Sequence, residues 1–326
     1  DSPWRWNRPW KVSKARKPEH HRMYGREVLS LANKTLLRHT ATDCLVHPAA
    51  ARPPAFWEVF CRRVAASAAL LDERSACIIA RALDEHWYRL DHPNAFRPTE
   101  TAKGKEVAVA DHKQMKIIEL LSSVFERLAQ ALPEQLPHYK CGLSLMVMAD
   151  VLSRRLVPHD QSMPIQESLF GHMARHGHRL LGEVTLAESL GFLRSLAKHG
   201  AADRPLCHRV ARKVQAGVNN FDTIEELRSV VDIFVLVNHR DAELLAAVGQ
   251  RVSHVLGGDT GTDHEGKKIP TRATAADVAE VVRGFRRLEV ENLQLVEAVR
   301  DWAVNGITPQ TSGEDRKVLE ACVGRV

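Results

Sequence analysis

A helical unit repeats through the C-terminal half of the sequence, and this repeat constrains the fold more than any other feature. Four threonines each precede a carboxylate by three residues, the pairs being Thr185–Glu188, Thr223–Glu226, Thr274–Asp277 and Thr311–Glu314. This spacing is typical of a helix N-terminus, where the hydroxyl and the carboxylate bind free backbone N–H groups. The threonines are 38, 51 and 37 residues apart, which indicates a unit of about 38 residues.

Each of the first three units contains a second predicted helix start 18 residues after its threonine, at Asp203, Asp241 and Asn292. Apolar residues keep one register across the units, and we predict that these positions are buried: Phe192, Leu193, Leu196, Leu206, Val210 and Val214; then Val230, Val231, Phe234, Leu244, Val248 and Val252; then Val281, Val282, Phe285, Leu295, Val299 and Ala303. Two apolar helices per unit at this period predict an all-α fold, an α-solenoid of helix-turn-helix repeats of about 37–38 residues.

The rest of the chain is assigned around this repeat. We predict an extended arm over 1–19, a degenerate helical region over 20–138, regular repeats over 139–310 with an insertion at 257–270, and a further repeat or capping helix over 311–326. Before the regular repeats, apolar spacing predicts helices over Glu19–Thr40, Phe56–Ala69, Ser75–Trp87 and Lys113–Leu132, with a loop over His92–Asp111. Ser144 and Ser162 are again 18 residues apart, which predicts a degenerate unit with helices over Tyr139–Leu156 and Gln161–His176.

The N-terminal arm carries most of the net charge. Residues 1–28 contain eight basic and three acidic residues, whereas the remaining residues hold a net charge of only +1. Three of the six tryptophans fall within the first ten residues, among prolines that argue against a helix. We predict that the arm binds RNA or a protein partner through Trp4, Arg5, Trp6, Arg8, Trp10, Lys11, Lys14, Arg16, Lys17, Arg22 and Arg26. The alternative is that it packs against the protein's own helices.

Basic residues also occur within the repeats, at Arg194, Lys198, Arg283, Arg286 and Arg287 on first helices and at Arg209, Arg212, Lys213, Arg251 and Arg300 on second helices. Acidic residues are interleaved with them, and such patterning usually forms a solvated surface of mixed charge. The pattern does not support a code of one base per repeat. RNA is therefore expected to bind the arm rather than the repeats.

Three motifs that approach catalytic or metal-binding signatures are incomplete. Residues 261–267 resemble a phosphate-binding loop, but Lys268 replaces the hydroxyl residue that would hold Mg²⁺. A single Asp-Thr-Gly at 259–261 lacks the second copy that an aspartic protease needs. His172 and His176 are one helical turn apart, with no further ligand at zinc spacing. We predict no catalytic residue, no cofactor, no metal and no small-molecule substrate, so the protein is not expected to be an enzyme.

The cysteines and the longest apolar runs limit the classes of protein to which this chain can belong. Six cysteines lie far apart with no C-x-x-C pair, at 44, 61, 77, 141, 207 and 322. Most are surrounded by apolar helical residues, which predicts reduced thiols in the core rather than a disulfide or zinc framework. No apolar run reaches 18 residues, so no membrane span is predicted.

The repeat is similar to those of one class of organellar proteins. The segments Phe192–Val214, Val230–Val252 and Val281–Ala303 resemble units of the heptatricopeptide and octotricopeptide class, which includes relatives of the FAST-kinase-like and RAP-domain proteins. The resemblance implies import into mitochondria or plastids, and association there with organellar RNA or with the ribosome. We expect a location in the mitochondrial matrix, with a presequence that is either removed or not included in this sequence.

Together these features predict a non-catalytic component of a mitochondrial ribonucleoprotein, in particular the mitochondrial ribosome. Its expected partners are rRNA or other organellar RNA and neighbouring proteins of a large assembly. Two alternatives stay open. One is a protein-binding scaffold or accessory subunit of a respiratory or ATP-synthase complex, and the other is a free organellar RNA-processing or stability factor.

Overall fold

The computed structural model describes residues 34–47, 52–92, 107–156, 163–257 and 273–324 of the chain. All regular secondary structure in these segments is helical, which confirms the predicted all-α class for the described residues. Thirteen α-helices are described, and none of them combines the length and the apolar character that a membrane crossing requires. The described residues belong to two compact units, one ending at Val184 and the other beginning at Thr185.

The first unit contains six helices, which we label in chain order: α1 Lys34–Val46, α2 Pro54–Ser67, α3 Glu73–Asp91, α4 Val107–Gln135, α5 Gly142–Arg155 and α6 Met163–Leu180. Each helix contacts the helix two places further along, so that α1, α3 and α5 form one row and α2, α4 and α6 form another. Buried aromatic side chains fill the space between the rows, including Trp57 and Phe60 on α2 and Phe125 on α4.

Arg155 at the end of α5 ties that helix to α3. Its Nε donates to the Asp84 carboxylate at 2.6 Å, and its guanidinium carbon lies 4.9 Å from the ring centre of Trp87. At the opposite end of the same pair, the carboxylate of Glu73 accepts the backbone N–H groups of Lys140 and Cys141. Both ends of this helix–helix contact are therefore fixed by charged groups in addition to apolar packing.

The second unit contains seven helices: α7 Leu186–Ala197, α8 Arg204–Gly217, α9 Ile224–Leu236, α10 Ala242–Leu256, α11 Ala275–Arg287, α12 Leu293–Gly306 and α13 Gly313–Val323. Contacts again join helices two places apart, so that α7, α9, α11 and α13 form one row and α8, α10 and α12 form the other. All eighteen apolar positions predicted to be buried are buried, from Phe192 on α7 to Ala303 on α12.

The predicted helix starts are confirmed at six of seven positions. Thr185 and Thr223 form reciprocal capping boxes with Glu188 and Glu226. Thr274 also accepts the backbone N–H of the residue three places on. The second helix of each pair is capped in the same way, because the side chains at 203, 241 and 292 accept the N–H groups of Leu206, Leu244 and Leu295.

The seventh predicted helix start, Thr311–Glu314, is wrong by one residue. Ser312 caps α13 by accepting the backbone N–H of Asp315, whereas the hydroxyl of Thr311 accepts the N–H of Thr308 in the preceding turn. Thr311 and Ser312 are adjacent hydroxyl residues, and the geometry of the turn places the Ser312 hydroxyl at the helix start. The corrected cap lies 38 residues after Thr274, the same spacing that separates Thr185 from Thr223.

Other predicted boundaries also shift. Ser144 lies inside α5 rather than at its N-cap, which is Cys141 and makes no side-chain hydrogen bond to the helix. The helix predicted to end near Thr40 continues to Val46 as α1, and α4 begins at Val107, within the predicted loop. Pro54 is the first residue of α2, two residues before the predicted start at Phe56, since that position needs no backbone donor. The arm over 1–19 and most of the insertion lie outside the described residues.

Candidate functional site

The eleven residues predicted to bind RNA or a partner, from Trp4 to Arg26, all lie outside the described residues. The structure therefore brings none of them into a site, and their role stays a prediction. The described residues do locate the basic residues of the repeats, the exposed apolar side chains and the titratable groups. These features decide which surfaces are available for binding.

Arginines on the first helices of the repeats bind acids on the next first helix along the row. Arg228 on α9 places Nη1 2.6 Å from a carboxylate oxygen of Asp277 at the start of α11. Arg283 on α11 places Nη2 2.6 Å from a carboxylate oxygen of Asp315 at the start of α13. The two acids occupy the same helical position, the third residue of the helix. A carboxylate that supports a helix start therefore also links successive helices of the row.

Charge also alternates along the same row at one repeat position. This position holds Arg194, Asp232 and Arg283 in the successive first helices α7, α9 and α11. Burial raises the pKa of Asp232, and the charges of Arg228, Arg194 and Arg287 oppose this effect. Asp232 therefore interacts with arginines of its own helix, α9, and of both neighbouring helices in the row.

On the second helices, Arg251 of α10 also binds acceptors within the second unit. It donates from Nε to the backbone carbonyl of Phe221 at 2.8 Å and from Nη2 to Asp222 at 3.1 Å. Both acceptors lie in the turn before α9, so this arginine joins the two helices of one pair. Such arginines hold the unit together, and their guanidinium groups are not directed at an external phosphate.

The outer face of α12 exposes two large apolar side chains. Leu293 is 77% exposed and Val304 is 79% exposed. They are 11 residues apart, about three helical turns, so they lie on the same side of the helix. Glu297 and Asp301 lie between them on that side and are exposed. This face combines apolar contact area with acidic groups, a composition suited to protein rather than to RNA.

Two histidines and an aspartate converge in the second unit. His208 lies on α8, His239 lies in the turn after α9, and Asp241 caps α10. The Nδ1 atom of His208 is 3.5 Å from Oδ2 of Asp241. One ligand atom from each of the three residues lies within 4.8 Å of the others. Among the described residues, this is the group that brings three metal-ligating side chains together.

His239 lies in a tight turn that directly follows α9, and this turn holds its backbone against the end of the helix. Asn238 has a positive φ of 48°, and the N–H of His239 donates to the carbonyl of Phe234 at 3.0 Å. This is a Schellman turn, in which the residue after the left-handed position is held against the helix end. The Nε2 atom of His239 is buried without a hydrogen-bond partner. Burial lowers the pKa of His239, and the carboxylate of Asp241 opposes that shift.

Sequence analysis missed this cluster because its members come from three segments. His208 precedes Asp241 by 33 residues, so no short ligand motif connects them. The available signal was the repeat itself, because His239 occupies a position that is apolar in the other two units, Ala201 and Val290. By contrast, the histidine pair considered from sequence, His172 and His176, acquires no third ligand among the described residues.

The cysteines are placed largely as predicted. Five of them are buried, and Cys141 is exposed. Burial raises the pKa of the Cys44, Cys61 and Cys77 thiols to about 12 and that of Cys207 to about 11. These four thiols are therefore protonated near neutral pH, which makes them poor nucleophiles and metal ligands.

No protein-family model matches the chain, and no curated protein matches it at a significant level. Its function is therefore inferred from the residues, the helix packing and the distribution of charge described above.

Proposed function

We propose that this protein is an α-solenoid that serves as a non-catalytic, RNA-associated component of a mitochondrial ribonucleoprotein, in particular the mitochondrial ribosome. In this proposal the helical repeats contact neighbouring proteins. The basic, tryptophan-rich N-terminal segment contacts rRNA, with the eight Lys and Arg side chains of residues 1–28 on phosphates and Trp4, Trp6 and Trp10 stacked on bases.

The solenoid part of the proposal is supported by recurrence. First helices contact first helices and second helices contact second helices along both rows of the second unit. The caps recur at matching positions, and the turn between the helices of a pair recurs with a positive φ at Gly200, Asn238 and Glu289. Units that share caps, turns and buried positions are what a stacked helical repeat requires.

The distribution of the arginines is the observation that carries the assignment of RNA to the arm. Arg228, Arg251 and Arg283 are engaged by acids or carbonyls within the second unit. Residues 29–326 hold nearly equal numbers of basic and acidic groups, whereas residues 1–28 carry a net charge of +5. Nonspecific affinity for nucleic acid follows unpaired positive charge. The arm is therefore the segment best suited to bind it.

The test is binding to mitochondrial rRNA across a salt series, with the full chain compared with a chain that lacks residues 1–22. We expect the full chain to bind with a steep salt dependence, the slope changing by about 0.7 for each phosphate contact that the deletion removes. The matched control is Arg209→Gln with Arg212→Gln on α8, which removes two exposed charges outside the arm. Binding that survives the deletion, or that the control abolishes, would refute the assignment to the arm.

A second candidate function, a protein-binding scaffold, is favoured by the exposed face of α12. Its test is co-sedimentation of the native protein with large mitochondrial assemblies. If a scaffold role is correct, Leu293→Gln with Val304→Gln releases the protein from its assembly, whereas deletion of the arm does not. If the ribosomal role is correct, deletion of the arm weakens co-sedimentation with the ribosome, and raising the salt concentration does the same.

A further inference from the structure

We propose that His208, His239 and Asp241 form a binding site for a divalent transition-metal ion of the zinc type. The site lies between α8 of one helix pair and the turn that opens α10 of the next. It is independent of the RNA-binding proposal, because it involves none of the residues of the arm. Its role would be to fasten two successive helix pairs to each other at one point along the second row.

The ligand chemistry fits such an ion. Two imidazole nitrogens and one carboxylate oxygen are a ligand set that zinc and its neighbours in the first transition row accept. Bonds of about 2.1 Å in a tetrahedral arrangement place ligand atoms about 3.4 Å apart. The His208 and Asp241 atoms are already 3.5 Å apart, and all three atoms are within 4.8 Å. Small side-chain rotations therefore suffice to close the site.

The carboxylate is oriented by its own neighbours. Oδ1 of Asp241 accepts the backbone N–H of Leu244 at 2.9 Å and the side-chain N–H of Gln215 at 3.3 Å. Oδ2 is the oxygen that faces His208. One oxygen thus caps α10 while the other remains available for a metal ion. A ligand held by further hydrogen bonds is the arrangement that stabilises a metal site.

His239 adds an observation that points to a ligand. Its Nε2 atom is buried and unpaired, a state that costs free energy unless something compensates for it. The backbone N–H of His239 is held by the Schellman turn, and its ring lies 6.1 Å from the ring of Phe234, centre to centre. One ring nitrogen of His239 lies in the cluster, and a metal bond made through Nε2 would supply the missing partner.

The equivalent interface one repeat later lacks the ligands. Its corresponding positions hold Ala246, Val290 and Asn292 in place of His208, His239 and Asp241. That interface shows that the helix pairs stack without a metal. It also shows that Ala246, Val290 and Asn292 are compatible with the local backbone at these positions. His208 and His239 are therefore not needed for the helix pairs to pack. This argues for a metal-binding role over a packing role.

The same comparison supplies variants that preserve the fold. We choose His208→Ala, His239→Val and Asp241→Asn, each of which introduces the residue found one repeat later. Asp241→Asn keeps an oxygen for the helix cap, as Asn292 does. The matched control is His254→Ala, an exposed histidine of α10 that is not in the cluster. All proteins are full-length and free of a histidine tag.

The experiment measures Zn²⁺ binding by competition with a chromophoric chelator, and the Tm with and without Zn²⁺, with Mg²⁺ as the ion control. We expect one Zn²⁺ per chain and a rise in Tm of about 5 °C at saturation. Each cluster variant should weaken that binding about tenfold or more and abolish the rise, whereas His254→Ala should behave like the wild type. A Co²⁺ derivative should show the visible absorption of a four-coordinate ion, and His239→Val should lose it.

Three results would overturn the site. The first is no binding of Zn²⁺ at concentrations up to about 1 mM, since a site of two histidines and a carboxylate should exceed that affinity. The second is binding that the cluster variants leave unchanged, which would place the ion on other histidines. The third is an equal rise in Tm with Mg²⁺. Because RNA binding by the arm is measured separately, failure of either proposal leaves the other intact.

Discussion

The Nη2 atom of Arg283 lies 2.6 Å from Oδ1 of Asp315, and the second carboxylate oxygen of Asp315 accepts the hydroxyl of Ser312 at 2.7 Å. One carboxylate thus supports the start of α13 and binds the helix before it in the row. The hydrogen bond from Ser312 and then the Arg283 contact hold the pKa of Asp315 below its usual range. The arginine and aspartate should therefore be coupled in their effect on stability.

A double-mutant cycle on Arg283→Gln and Asp315→Asn tests this coupling. We expect each single change to lower the free energy of unfolding, and the coupling between the two to be about 0.5–1 kcal/mol at neutral pH. Urea denaturation followed by circular dichroism gives the four values. Effects that are simply additive would show that the two side chains contribute independently. The coupling should decline as the pH falls through the lowered pKa of Asp315, since its charge is then lost.

Gly284 on α11 packs tightly against α9. A methyl group at this position would collide with the side chain of Val231, whereas one at Gly191 on α7 would meet nothing within 4 Å. We expect Gly284→Ala to destabilise the protein by about 1–3 kcal/mol through overpacking. Gly191→Ala should stabilise it by up to about 1 kcal/mol, because alanine is the better helix former. Thermal unfolding of the two variants should shift in opposite directions, and shifts of the same sign would contradict the packing described.

The thiols should react at very different rates in the folded protein. Cys141 is exposed, and the other five cysteines are buried. We expect one fast-reacting thiol per chain with a disulfide reagent near neutral pH, and five that react only on unfolding. Cys141→Ser should remove the fast phase alone. Two or more fast thiols in the wild type would show that the core opens more readily than the packing indicates.

His86 should make the protein sensitive to acid. Its ring stacks on Trp57 with centres 3.7 Å apart, and its Nε2 atom is buried without a partner. Burial, assisted by the charge of Arg89, lowers its pKa to about 3 from the ordinary value of 6.5. Between pH 6.5 and 3 the unfolded chain binds a proton that the folded protein excludes, so stability falls as the pH falls.

The measurement is the free energy of unfolding against pH for the wild type and for His86→Phe, which retains a ring on Trp57 but does not titrate. We expect the wild type to lose up to about 1.4 kcal/mol per pH unit more than the variant in this window. A substitution at His138, which is exposed, serves as the control. Parallel curves for the wild type and His86→Phe would show that the histidine is protonated in the folded state.

Two features of the chain could be predicted because they depend on neighbours close in sequence. A cap needs only a hydroxyl or carboxylate and a backbone N–H three residues away, as in Thr185 with Glu188. The buried positions follow from the helical period alone, because a face that is apolar every three or four residues must be covered. The cap of α13 was misplaced because Thr311 and Ser312 offer equivalent hydroxyls, and only the turn geometry separates them.

The sequence by itself determined that the described chain is helical, where the repeated helices begin, and which of their faces are buried. The tertiary structure decided how side chains from different repeats meet: Arg228 with Asp277, Arg283 with Asp315, and His208 with His239 and Asp241. These contacts join residues about 30 to 50 positions apart. Their distances depend on how the helix pairs stack, and the spacing within any one helix contains no record of that stacking.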